Sequence, residues 1–313
     1  MANTVLSASD DFAPATPRPS AKINYLMAFT LGLPIAYSLA FFIGPLVFLV
    51  AISFWTVENY RVVPDFSFAN YTDVAQHLFG KSNYAIAILQ SAYVSATTAI
   101  IAVVLCGLFV LALVFTLPQR LHRLALLLAV APFWTSYILR AYAWQILLAK
   151  RGVINAAFTA LGLDFHLGVL NTQIATRIGL LHYMAPIIIV ILFVTVKGID
   201  RDLIEAARNL GASRWTVFRS VILPLSRVGI VLSLCFASII SFGDVLSGSI
   251  LGGGAGQSLV GRVPLFSNMI MSDFSSSTNL PRTCVLAIIL VLILGTILVS
   301  GLKGSEAAQR SIS

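Results

Sequence analysis

Long apolar runs separated by short polar segments dominate the chain between residues 26 and 302. A helix that spans a membrane needs about 20 predominantly apolar residues. The runs of that length predict six transmembrane helices, at 26–54, 84–115, 124–148, 174–196, 227–250 and 283–302. The pattern therefore predicts an all-α membrane protein with a six-helix domain over residues 22–303.

The two ends of the chain lack this pattern. Residues 1–21 are rich in Ala, Ser, Thr and Pro and show no apolar periodicity, which is typical of a disordered tail. Residues 304–313 form a second, short tail. The first apolar run is too long for a signal peptide and has a basic flank, so we expect a retained first helix.

Composition excludes a soluble protein and charge orients the helices. Of the 313 residues, 58% are hydrophobic and 10% are charged, and the mean hydropathy is +0.92. The net charge of +8 would suit nucleic acid, but the basic residues are spread over short loops, so we expect no such partner. Placing both ends inside puts 12 of the 20 Lys and Arg residues on the cytoplasmic side. The positive-inside rule therefore predicts an N-in, C-in protein.

A polar, helix-forming interruption at residues 205–224 reads EAARNLGASRWTVFRSVILP. Asp200, Asp202 and Glu205 lie where a helix begins and suit the positive end of its dipole. Gly211 ends that helix, since glycine readily takes the left-handed conformation. Ser213 is a candidate cap for a second short helix, and Pro224 suits the start of the next. The pattern predicts a helix-turn-helix elbow that docks on another protein. An interfacial loop, basic because cytoplasmic loops usually are, is the alternative.

Two charged residues fall within apolar runs, and an ionisable group at membrane depth suggests function. Asp244 and Arg140 lie in the fifth and third predicted helices. Helical spacing places Ser241 on a small, polar stripe with Asp244, while Tyr137 and Trp144 share a face with Arg140. One interpretation is that Asp244 neutralises a cationic solute, with aromatic faces from Trp134, Tyr137, Tyr142 or Trp144. The other is that Asp244 and Arg140 pair with each other or serve packing alone.

Several kinds of chemistry have no signature in the sequence. The phosphate-cradling pattern G-x-x-x-x-G-K-[ST] does not occur, so energy from ATP would have to come from a partner. The four histidines and three cysteines lack metal-ligand spacing. An intramembrane aspartyl protease needs two carboxylates at one site, and only Asp244 is available. We therefore expect no enzyme activity, metal or resident cofactor in this chain.

The elbow resembles a known family pattern. Glu205-Ala206-Ala207, then Gly211, Val221 and Leu223-Pro224 at their spacing are similar to the EAA loop of ABC importer permeases. Val221 departs from the Ile usual in that pattern. The resemblance implies the type I importer (MetI-like) fold, with a coupling loop at 197–226 in which Arg208 and Arg214 also contact the ATPase. ATP and Mg would then be bound by the partner ATPase.

A narrower resemblance comes from the third and fifth predicted helices. The run Pro132-Phe133-Trp134-Thr135-Ser136-Tyr137, with Arg140, Tyr142-Ala143-Trp144 and Gly152-Val153-Ile154-Asn155, is similar to spermidine/putrescine importer permeases. So is Asp244 followed by Leu251-Gly252-Gly253. This resemblance implies a polyamine permease of the bacterial inner membrane. Its implied partners are two ATPases, a sibling permease and an extracytoplasmic solute-binding protein.

The alternatives that remain open concern the solute and the mode of transport. An importer for an amino-acid-derived or phosphonate compound would share the elbow. A passive channel would work without ATP, and a purely structural subunit would show no solute-dependent phenotype. The sibling permease is either another gene product or a second copy of this chain, and a heterodimer is the expectation.

Overall fold

A computed structural model describes residues 25–59, 61–79, 83–163, 166–252, 265–276 and 279–310. The expected tail at 1–21 and Gly253 of the glycine run lie outside these ranges. The chain divides into two compact units, one up to Phe48 and one from Leu49 onward.

The first unit is helical throughout its described part. Helix α1 (Tyr25–Ser38) continues into a π-helical turn (Leu39–Ile43) and then into α2 (Gly44–Ser53), whose last residues belong to the second unit. Residues Phe29–Ser53 are apolar and long enough to span a membrane. The first predicted span is therefore a helix, with Pro34 inside α1.

The second unit starts with a small hairpin that the apolar pattern did not predict. Strands β1 (Thr56–Glu58) and β2 (Arg61–Val63) pair antiparallel, and helix α3 (Ala69–Phe79) follows. The side-chain amide of Asn70 donates to the carbonyls of Ser53 and Trp55 at 3.1 and 2.8 Å. These bonds fix the exit of α2 against α3. Strands of three residues are too short to leave an alternating apolar pattern.

Four long helices form the centre of the second unit. They are α4 (Asn83–Thr116), α8 (Gln173–Lys197), α12 (Arg227–Gly243) and α15 (Leu280–Arg310). Helix α12 packs against α4, α8 and α15, and α4 packs against α8. Apolar side chains of α4 and α8, such as Val110 and Ile188, are fully buried between them. Outward-facing apolar side chains such as Leu108 and Val194 stay exposed, as lipid contact requires.

The third predicted helix is not continuous. Helix α5 (Gln119–Val130) and a 3₁₀ turn (Ala131–Trp134) meet α6 (Tyr137–Leu148) and α7 (Val153–Ala160) at a bend of 94°. Ser136 lies in the break with extended backbone, so it is outside the helical face that Tyr137, Arg140 and Trp144 share. Pro132 has no backbone N–H and so cannot continue the α-helical hydrogen bonds of α5. Ala131 before it keeps helical backbone, and the chain becomes extended only at Thr135 and Ser136.

The fifth predicted helix is interrupted as well. Helix α12 ends at Gly243, Asp244 has extended backbone, and a short helix α13 (Leu246–Ile250) follows. Ser241 of the expected polar stripe is buried in α12 together with Ser233 and Ala237, but Asp244 lies beyond the helix end. Helix α14 (Phe266–Ser276) then packs beside α4 and α15.

Helices α9 (Arg201–Asn209) and α10 (Arg214–Val217), a π-helical turn (Phe218–Ile222) and α11 (Leu223–Leu225) occupy the predicted elbow. The segment Arg214–Leu225 meets α12 at 66°. In the described residues, four helices are apolar and long enough to cross a membrane, and six spans result if each bent pair counts as one.

Ion pairs join three helices of the second unit. The guanidinium of Arg282, at the start of α15, donates from Nη2 to Asp273 Oδ1 at 2.5 Å and from Nε to Oδ2 at 3.3 Å. Its Nη1 lies 3.7 Å from Asp73 of α3. Thr283 adds a hydroxyl bond to Asp273 at 3.1 Å. The charges of Arg282, Asp273 and Asp73 are thus paired with one another, which holds α3, α14 and α15 together.

Candidate functional site

The elbow is built from two capped helices. The carboxylate of Asp200 accepts from the backbone N–H of Asp202 at 3.0 Å and caps α9. The hydroxyl of Ser213 accepts from the N–H of Thr216 at 3.2 Å and caps α10. These side chains satisfy backbone donors that have no partner inside their own helix.

A Schellman turn reverses the chain between the two helices. Gly211 has φ of +81°, and its N–H donates to the carbonyl of Arg208 at 2.8 Å. The N–H of Ala212 donates to the carbonyl of Ala207 at 3.1 Å. Both bonds are those of the Schellman motif, in which glycine supplies the left-handed residue. A side chain here would strain the backbone, although no atom lies within 4 Å of an added Cβ.

The elbow has a buried face and an exposed face. Ile199, Ile204, Val217 and Ile222 form a small apolar core beneath it. The opposite face exposes several of the residues that the sequence assigned to ATPase contact, namely Glu205, Ala206, Arg208, Gly211 and Arg214. Of the other three, Ala207 and Pro224 are half-buried and Leu223 is 38% exposed.

Two apolar side chains complete the exposed face. Leu210 is 89% exposed beside Gly211, and Trp215 is 66% exposed. The Trp215 ring stacks on Phe218 with centroids 5.4 Å apart, and Phe218 packs on the buried face. The elbow therefore presents a protruding surface of apolar and charged side chains that the described residues of this chain do not cover. A protruding helical surface of this kind is suited to docking in a groove of another protein.

A buried carboxylate occupies the break after α12. Asp244 is 9% exposed. Its Oδ1 accepts from the hydroxyl of Tyr137 at 2.6 Å, and its Oδ2 accepts from the backbone N–H of Ser247 at 2.7 Å. Each carboxylate oxygen has two lone pairs, so capacity remains for a further donor. The arrangement can bind a cationic group.

Helix α14 satisfies the backbone that this break frees. The hydroxyl of Ser267 donates to the carbonyl of Asp244 at 2.5 Å. The amide of Asn268 donates to the carbonyl of Val245 at 3.0 Å. Non-helical backbone at membrane depth is stable only where protein or water covers it. The break is therefore a built feature that holds Asp244 in one position.

Arg140 lies near this carboxylate without pairing to it. Its guanidinium carbon is 5.9 Å from the ring centroid of Tyr137 and 5.7 Å from that of Tyr183. These two rings stack on each other with centroids 4.2 Å apart. Arg140 is 9% exposed, and its Nε and Nη1 have no hydrogen-bond partner in the described part of the chain. The Asp244–Arg140 ion pair, which is one of the two interpretations of the sequence, is not among the ion pairs of the described residues.

The remaining sequence-predicted residues divide into two groups. Trp144 is half-buried, and its indole N–H donates to His182 Nδ1 at 3.0 Å. Ser241 is buried, and its hydroxyl has no partner in the described residues. Trp134 and Tyr142 are 77% and 50% exposed and take no part in the bonds around Asp244. The structure thus brings Asp244, Tyr137, Arg140 and Trp144 into one region but leaves Trp134 and Tyr142 on the surface.

Sequence reasoning missed several residues of this region. Ser247 follows Asp244 at the spacing of a local side-chain cap, which is a recognisable signal. Tyr183 and His182 come from α8, and Ser267 comes from α14. Their contacts join distant parts of the sequence, so no local pattern reveals them. Within the described residues, no group of three His, Cys, Asp or Glu side chains can hold a metal.

Comparison with known families gives one match that covers most of the chain. Residues 108–304 match the family described as the binding-protein-dependent transport system inner membrane component. The match includes α5 to α14 and most of α15, so it contains both the elbow and the Asp244 region.

Individual relatives in sequence and in structure are also transport proteins by their names. The chain is 27% identical over 295 residues to the spermidine/putrescine transport system permease protein PotB of Haemophilus influenzae, covering 92% of this chain and 97% of that protein. It is 31% identical over 178 residues to PotB of Escherichia coli K12, covering 56% and 64%. A crystal structure of a bacterial ABC transporter that imports alginate has a similar fold, with a TM-score of 0.69 at 18% identity. That match covers 91% of this chain and 96% of the other.

Proposed function

The chain belongs to the family of binding-protein-dependent transport system inner membrane components, and from this premise we propose that it is the permease subunit of an ATP-driven polyamine importer. The family and the apolar helices make it a multi-pass protein of the bacterial inner membrane. A transport component of this kind is a path for solute rather than an enzyme. The proposal adds the solute, the orientation and the partners.

The buried carboxylate is the observation that carries the choice of a polyamine. Putrescine and spermidine are flexible chains with ammonium groups, and an ammonium group is a strong donor to a carboxylate. Asp244 is held in position by Tyr137 and Ser247 and retains acceptor capacity. The names of the PotB relatives support the same solute class. In this proposal an ammonium group binds Asp244 during its passage.

The elbow would connect this path to ATP hydrolysis. With both ends of the chain inside, the exposed face around Glu205 and Gly211 lies in the cytoplasm, where it docks into a groove of an ATPase subunit. Two ATPases, a sibling permease and an extracytoplasmic solute-binding protein complete the assembly. Closure of the ATPase dimer would move the elbows as rigid bodies and open the path outward, in an alternating-access cycle.

One observation favours a second candidate solute. Arg140 has two buried donors without a hydrogen-bond partner in the described residues, and it lies beside the ring of Tyr137, whose hydroxyl donates to Asp244. A solute with an ammonium group and a carboxylate, such as an amino-acid-derived compound, would satisfy both residues. A polyamine would satisfy Asp244 only. The same importer mechanism applies to either solute.

Uptake by cells tests the proposal. Cells that lack the gene receive the wild-type chain or Glu205→Ala, and the uptake of labelled spermidine, putrescine and a zwitterionic amino acid derivative is measured with and without an ATP-depleting agent. We expect ATP-dependent uptake of the two polyamines that the wild type restores and Glu205→Ala impairs. Uptake that persists after ATP depletion would identify a channel. Uptake of the zwitterion alone would move the assignment to the second candidate.

A further inference from the structure

A cavity lies beside the elbow, apart from the Asp244 region. Its volume is about 350 Å³. The end of α4, the start of α5, the end of α8 and the start of α9 line it. Three of its lining residues are cations, Arg123, Lys197 and Arg201, and none of its lining residues is acidic.

These cations come from three different helices yet converge on one space. Arg123 is in the second turn of α5, Lys197 is the last residue of α8, and Arg201 is the first residue of α9. None of the three appears in an ion pair of the described residues. The carboxylate of the neighbouring Asp200 is used to cap α9. Like charges around one cavity repel each other, and an anion in the cavity would relieve that repulsion.

The start of α5 adds positive potential to the same cavity. Pro118 occupies the N-cap and gives no side-chain hydrogen bond to the first turn, and Gln119 of that turn lines the cavity. The N-terminus of a helix carries a partial positive charge and free N–H donors. His122 also lines the cavity and is buried, with its Nε2 held 3.1 Å from the carbonyl of Leu117.

Much of the cavity lining is apolar. Leu126 of α5 and Phe193 and Val196 of α8 are among the apolar lining residues, and the Lys197 ammonium lies 5.4 Å from the ring centroid of Phe193. A ligand that combines an anionic group with hydrocarbon therefore fits better than a small hydrated ion. Basic cavities between membrane helices at the cytoplasmic side are typical sites for anionic headgroups.

We propose that this cavity is a binding site for a phosphate group, supplied either by the headgroup of an anionic phospholipid or by a soluble phosphate compound. Arg123, Lys197 and Arg201 are its ligands, together with the uncapped start of α5. Because Arg201 begins the elbow helix, a bound phosphate ties the elbow to α5 and α8. The site goes beyond the proposed import function and does not depend on which solute the protein carries.

The general excess of basic residues on cytoplasmic loops is the competing explanation for these cations. Arg120 allows the phosphate site to be told apart from a general basic excess. It is an exposed cation on the same helix as Arg123, but it does not line the cavity. Arg219 on the elbow is a second exposed cation outside the cavity. Replacing either removes the same charge without changing the cavity.

The test uses the purified full-length chain and two probes. The first probe is phosphatidylglycerol retained by the protein, measured by native mass spectrometry against a phosphatidylcholine background. The second is inorganic phosphate, measured by the melting temperature in detergent. The variants are Arg123→Gln and Arg123→Gln/Arg201→Gln, with Arg120→Gln and Arg120→Gln/Arg219→Gln as controls of matched charge.

We expect Arg123→Gln to weaken binding of the effective probe about tenfold and the double variant to weaken it further, because charge-assisted hydrogen bonds to phosphate are lost. The controls should bind as the wild type does. An effect on phosphatidylglycerol alone assigns the site to lipid, and an effect on inorganic phosphate assigns it to a soluble compound. Equal binding by cavity and control variants, or no binding of either probe by the wild type, would overturn the proposal. Neither readout involves uptake, so failure here leaves the import function untouched.

Discussion

Replacing Asp244 by Asn separates the charge of the buried carboxylate from its structural role. The asparagine oxygen can accept the bond from the Ser247 N–H that Asp244 accepts at 2.7 Å. Its amide can donate to the Tyr137 hydroxyl, which then donates to the adjacent Ser247 hydroxyl at 2.5 Å. All of these polar groups keep a partner, so we expect the variant to fold and insert normally.

The loss of function follows from the missing charge. A hydrogen bond to a charged group is worth about 1.5–3 kcal/mol. If one solute ammonium loses that bond in the transport pathway, uptake efficiency falls by about 10- to 150-fold, since about 1.4 kcal/mol corresponds to a factor of ten. A neutral amide cannot restore the attraction for a cation, whereas Asp244→Glu retains the charge.

Uptake of labelled spermidine by gene-deleted cells measures this effect, with the amount of membrane-inserted protein determined by immunoblot. Asp65→Asn is the matched control, because Asp65 is an exposed carboxylate in the loop after β2. The control should retain wild-type uptake. Wild-type uptake by Asp244→Asn at normal protein levels would refute the assignment of Asp244 to cation binding.

Three further substitutions test the elbow, the helix packing and the ion pairs. Gly211→Asp places a side chain at φ of +81°, which costs about 1–2 kcal/mol. We expect the variant to insert in the membrane but to hydrolyse ATP without solute uptake. Wild-type coupling of hydrolysis to uptake would remove the elbow from the mechanism. Gly229→Ala forces a methyl group onto the Thr195 side chain, so overpacking should destabilise the helix bundle by about 1–3 kcal/mol. Adding Thr195→Ala should recover part of the lost melting temperature. An unchanged melting temperature in Gly229→Ala would contradict close packing of these two residues. Arg282→Gln leaves the largely buried Asp273 carboxylate without its cation, and we expect the folded state to lose about 1–3 kcal/mol of stability. Asp273→Asn in the same background should recover part of the lost melting temperature. No recovery would argue against a stabilising Arg282–Asp273 ion pair.

The sequence predicts the helical spans and the elbow because each leaves a local signal. A long apolar run is visible without knowledge of the fold. The elbow is predicted down to its caps, since Ser213 and Gly211 act within a few residues of themselves. The roles of individual residues in ATPase contact and solute passage stay predictions.

The breaks in the third and fifth spans leave a much weaker signal. A hydropathy profile does not reveal these breaks, because the residues on both sides of Ser136 and Asp244 are mostly apolar. Pro132 and the Gly243-Asp244 pair mark the breaks, but proline and glycine also occur inside intact membrane helices. The breaking point of the fifth span depends on α14, whose Ser267 and Asn268 side chains donate to the freed carbonyls of Asp244 and Val245. The position of α14 depends in turn on the packing of the whole unit.

Helix α12 gives the protein a lever. Its 17 residues form a rod of about 25 Å, joined at one end to the elbow through α11 and ending at the other in Asp244. Close contact of Gly229 with Thr195 of α8 places a fulcrum near the elbow end. A tilt of about 5° around that point would move the far end by about 2 Å, the difference between a made and a broken hydrogen bond. If Asp244 binds a cation as proposed, a push on the elbow would change how tightly Asp244 holds that cation, without any signal passing through a chain of separate contacts.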